Sequence, residues 1–61
     1  MSLNLQPNLR SPDDAYALQL EAHEGLSKAE SDALNARLIL VLMNHVGDME
    51  VLREAIEAAK R

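Results

Sequence analysis

The chain has 61 residues, 48 % of them hydrophobic but only one aromatic, no cysteine, and a formal net charge of −4. That length holds one domain at most, and the lack of cysteine excludes disulfides and thiolate metal sites. With no cluster of Lys and Arg, a nucleic-acid surface and an anionic membrane are poor partners, because both require grouped cations.

A folded chain of this size buries only about 60 % of the surface that its unfolded form exposes, so its core is marginal. Disulfides, a structural metal or oligomerisation are the usual remedies. Two histidines are thin material for a structural zinc site, which leaves self-association as the expected stabiliser. The apolar residues are aliphatic, a composition that suits packed helices better than sheets. The start, Met-Ser-Leu-Asn-Leu, has no basic region or long apolar stretch of a signal peptide, and the run Leu38 to Met43 is too short to span a bilayer. A cytoplasmic protein is expected.

Residues 1–10 place Leu3, Leu5 and Leu9 among Asn, Gln and Pro7. Proline removes a donor and disfavours helix, so this segment reads as an extended arm, either frayed or packed through its leucines on the helices or a partner. Residues 11–61 form the helical domain. Ser11 suits an N-cap, Pro12 the first helical position, and Asp13 and Asp14 the positive helix end. This first helix is expected over about 12–24, with Gly25 as a left-handed stop. Ala15, Tyr16, Leu18, Leu20 and Ala22 fall within a broad arc, with Gln19 and His23 near its centre.

Ser27-Lys28-Ala29-Glu30 is a capping box opening a second helix over about 28–46, stopped by Gly47. In its first half Ala29, Ala33 and Ala36 make a small-residue face. In its second half Leu38, Ile39, Leu40, Val41, Leu42 and Met43 point in every direction around the axis. A helix that is apolar all round must be covered all round. Two neighbouring helices cover two sides, so the third side calls for another chain.

Asp48 caps a third helix over about 49–60, with Glu50 in its first turn. Met49, Leu52, Ala55, Ile56 and Ala59 form one stripe, and Glu57 and Arg61 are spaced for an i,i+4 pair. Connections of two or three residues favour antiparallel neighbours. The fold class is therefore all-α: an antiparallel helical hairpin plus a C-terminal helix, assembling into a helical-bundle oligomer.

The string Leu34-Asn35-Ala36-Arg37-Leu38-Ile39-Leu40, continuing to Asn44-His45-Val46-Gly47-Asp48, resembles the signature of a family of uncharacterised bacterial proteins of about this length, a domain of unknown function. Pro7-Asn8-Leu9, Pro12-Asp13 and Ala22-His23-x-Gly25-Leu26-Ser27 fit the same pattern, so the resemblance covers nearly the whole chain. It implies a stand-alone bacterial helical protein with no catalytic assignment, and an accessory role beside a flavin-dependent oxygenase.

Several residues invite chemistry. His23, His45 and Tyr16 are candidate ligands for a small molecule or for zinc or iron. The two histidines sit on different helices without a local third ligand, so a half-buried His23 and a helix-terminating His45 are the plainer reading. Arg37 admits three roles: an anion clamp, a polar register-setter with Asn44 in a helix–helix interface, or an exposed partner of a surface acid. The acids serve mainly as caps and solvated faces. No thiol nucleophile, strained Ser–His turn or glycine-rich phosphate loop is present, so an enzyme is not expected.

The expected function is a non-catalytic interaction or accessory protein, a homodimer or homotetramer joined through the central helix. Leu34, Arg37, Leu38, Ile39, Val41, Leu42, Met43 and Asn44 are its interface candidates. A ligand- or metal-binding module using His23 and His45, and an accessory subunit of a redox enzyme, are the alternatives.

Overall fold

The computed structural model describes residues 2–61, so Met1, the first residue of the expected arm, lies outside the described residues. Three helices follow in order: α1, Pro12–His23; α2, Lys28–Val46; and α3, Met49–Ala59. Among the described residues there is no strand.

Local chemistry sets most of the boundaries. At α2, Ser27 Oγ accepts from the Glu30 backbone N–H at 3.2 Å while Glu30 Oε1 accepts from the Ser27 N–H at 2.9 Å, which satisfies two of the helix's orphan donors. At α3, Asp48 Oδ1 accepts from the N–H groups of Glu50 at 2.9 Å and Val51 at 3.2 Å. Gly47 closes α2 at φ +69°, and its N–H donates to the Met43 carbonyl at 2.9 Å. Gly25 adopts φ +75° between α1 and α2.

α1 departs from expectation in its N-cap. Ser11 occupies the N-cap, but its side chain makes no capping bond; its carbonyl accepts from Ala15 N–H at 3.0 Å, and Pro12 supplies the fixed φ at the first position. The helix ends at His23, with Glu24 as the C-cap near the expected end: Glu24 turns extended at ψ 131° and its N–H reaches the Glu21 carbonyl. At the other end of the chain, Glu57 pairs with Lys60 at 3.2 Å and not with Arg61. α3 stops at Ala59, so i,i+3 is the spacing its last turn offers.

The most extensive helix–helix contact is between α2 and α3. α1 buries no residue, and only Ala15 and His23 along it are half-buried. Gln19, expected near the centre of an apolar arc, is exposed. The apolar residues of α1 are spread around its circumference, so no single face drives it onto α2.

Val51 is the one buried residue among those described, at 8 % exposure. It lies off the expected α3 stripe, on a face shared with Ala55 and Ala58, which are half-buried. The N-terminal arm explains that shift. It returns across α3, where Leu3 and Leu5 border a cleft with Glu54, Glu57 and Ala58. Leu3 is half-buried, whereas Leu5 and Leu9 remain exposed. The centre of α3 burial therefore falls between the arm on one side and α2 on the other.

Candidate self-association surface

The two-residue connection at Gly47 and Asp48 brings the second half of α2 beside α3. Ile39, Leu42, Met43 and Val46, spaced to share one side of α2, face Leu52, Ala55, Ile56 and Ala59 across an open groove. None of these eight groove-lining residues is charged. Ile39 is 53 % exposed and Ile56 46 %, so the helices wall the groove without closing it.

At about 100° per residue, Arg37 and Val41 stand some 200° from Ile39, and Asn44 a similar angle from Leu42. These three belong to the rear of α2, with Leu34, while Leu40 stands on a flank about 100° from Ile39. Val41 is 64 % exposed and Leu40 66 %. Arg37 and Asn44 are exposed, and neither side chain has a hydrogen bond or ion pair with a described residue. Leu34 is half-buried, and Leu38, about 100° from Ile39 on the other flank, is 43 % exposed. The eight interface candidates are thus divided: Ile39, Leu42 and Met43 in the groove, Leu34, Arg37, Val41 and Asn44 behind it, and Leu38 between. Sequence reasoning missed the opposite wall of the groove. Leu52 and Ile56 were read as part of one apolar stripe of α3 and not as interface residues; Leu52 is half-buried and Ile56 exposed.

The weaker ligand candidates are not drawn together into a pocket. Tyr16 and His45 are exposed and His23 is half-buried; none of them borders the groove or the arm cleft. Among the described residues no cluster of three or more His, Cys, Asp or Glu is placed to hold a metal ion. No buried side-chain polar atom of the described residues lacks a partner. Three ion pairs between described residues are local and solvated: Lys28 with Asp32 at 2.8 Å, Arg53 with Glu50, and Lys60 with Glu57. Such pairs contribute little stability. The carboxyls that depart from ordinary behaviour are caps. Bonds from Ser27 hold Glu30 below its usual 4.5, and the Val51 N–H, with that of Glu50, holds Asp48 below 3.8.

The exposed area is large for the mass. A folded monomer of 6.7 kDa exposes about 3,900 Å² by the usual scaling, whereas this chain exposes 5550 Å², a surplus of roughly 1,600 Å². Among the described residues no helix is long and apolar enough to cross a membrane, so the surplus is not that of a spanning helix.

A sequence family described as "Protein of unknown function (DUF2783)" matches residues 3–61. The chain belongs to the DUF2783 family. That match runs from the arm to the end of the chain, so the DUF2783 unit contains the groove, the rear of α2 and the arm cleft alike. Neither comparison with curated proteins nor comparison with solved structures gives a match.

Proposed function

We propose that this DUF2783 chain is a non-catalytic interaction protein that self-associates through α2. The observation that carries this reading is the surplus of roughly 1,600 Å² of exposed surface in each chain. Obligate homodimers bury about 2,000–5,000 Å² in total, and twice that surplus falls inside the range. The apolar second half of α2 supplies the driving force, at about 25 cal/mol per Å² removed from water.

Sedimentation at several concentrations tests the reading. A multimer at micromolar concentration is expected, and Leu42→Asp should dissociate it with loss of most helical signal. A fully folded wild-type monomer at every concentration would overturn self-association. A Leu42→Asp chain that keeps both mass and helicity would remove α2 from the interface.

A further inference from the structure

We infer that the α2–α3 groove is an isologous interface, in which one chain's groove receives the same groove of a second copy to form a four-helix dimer core. This rests on the self-association reading and names its surface, adding α3 to it.

Charge is the first argument. Each chain carries −4, so two copies repel unless they meet where carboxylates are absent. The groove lining has no charged side chain. The arm cleft, by contrast, is bordered by Glu54 and Glu57 with Arg53 and Arg61, and α1 presents Asp13, Asp14 and Glu21. The rear of α2 carries Arg37, which would be desolvated without a partner there.

Symmetry is the second. A two-fold contact requires one self-complementary patch, in which residue i meets j and j meets i. The groove's two walls are chemically alike: Ile39 and Leu42 on α2 match Leu52 and Ile56 on α3. With the dyad between them, α2 of each copy lies against α3 of the other, and all four side chains are covered in one event.

Area is the third. The surplus surface of each chain, roughly 1,600 Å², is what one partner of an obligate homodimer gives up. Val51 alone is buried among the described residues, so the groove's residues await a core rather than decorate one.

Two substitutions at partly open positions separate this geometry from its competitors: Ile56→Asp on the α3 wall and Val41→Asp behind α2. Each is measured by sedimentation over a concentration series, with circular dichroism alongside. Ile56→Asp should weaken the dimer at least about thirty-fold, the effect of losing one well-buried anchor, and Val41→Asp less than about three-fold. If Ile56→Asp fails to fold, Ala59→Lys reads the same wall from the exposed last residue of α3, and it should weaken the dimer while retaining helicity. Dissociation by Val41→Asp with none by the α3 variants would overturn the groove pairing and leave self-association standing. A wild-type monomer at every concentration would remove both, whereas a groove filled only by a different protein would overturn the groove pairing alone.

Discussion

The backbone N–H of Leu3 donates to Glu54 Oε2 at 2.9 Å, joining two residues 51 positions apart. This bond fastens the arm to α3 and sets Leu3 and Leu5 along the cleft beside Ala58. The bond is exposed, so removing it should lower stability by only about 1 kcal/mol or less. In Glu54→Ala the Leu3 amide should exchange with solvent much faster, with helix content unchanged. An unaltered exchange rate at Leu3 would mean that the arm is held by its leucines alone.

The capping box makes α2 sensitive to one hydroxyl. Ser27→Ala removes the acceptor for the Glu30 N–H, while the backbone N–H of residue 27 that donates to Glu30 Oε1 is retained. A loss of about 1 kcal/mol is expected, with Ser27→Asp restoring most of it, as read from urea unfolding midpoints at constant protein concentration.

Acid should unfold the chain through its caps. Glu30 and Asp48 are both held below their ordinary values, 4.5 and 3.8, by hydrogen bonds made to the ionised form. A depressed folded-state value means that the stabilisation is complete above the ordinary value and is lost as pH falls through the depressed one. Helical signal should therefore hold down to about pH 4.5 and decline below it. Asp48→Asn, which retains an acceptor without a titrating charge, should flatten the lower part of that decline. An acid transition identical in wild type, Asp48→Asn and Ser27→Ala would assign it elsewhere.

The helix boundaries were legible because their determinants lie within four residues of one another. Ser27 with Glu30, Asp48 ahead of Met49, and Gly25 and Gly47 at positive φ are local statements that sequence makes directly. Ser11 and Glu57 were less so. A side chain with several reachable partners chooses by rotamer and chain direction, which composition does not specify. The site was half legible. Six apolar residues in a row announced that α2 has more greasy surface than its neighbours cover, but not which side would stay open. That depended on the arm crossing α3 and on α1 shielding little, both set by contacts far apart in sequence. Val51 emerged as the buried residue for the same reason.

Gly47 offers a test of the α2–α3 junction. A Cβ there would meet only the Asn44 carbonyl oxygen, at an ordinary 3.8 Å, so space does not forbid a side chain. The positive φ does penalise one, and Gly47→Ala should destabilise by about 1 kcal/mol. Thermal unfolding at fixed concentration would show it, and an unchanged midpoint would indicate that the junction relaxes to negative φ.

Twelve residues of α1 stand without a buried side chain or a side-chain cap, and a rod that short has little inherent persistence in water. The molecule is consequently tiered. Amides along α1 should open to deuterium in local excursions long before α2 and α3 come apart, and proteases should nick this helix first. Whatever fastens α1 would add a second, separable layer of order to a particle already held together by its other two helices.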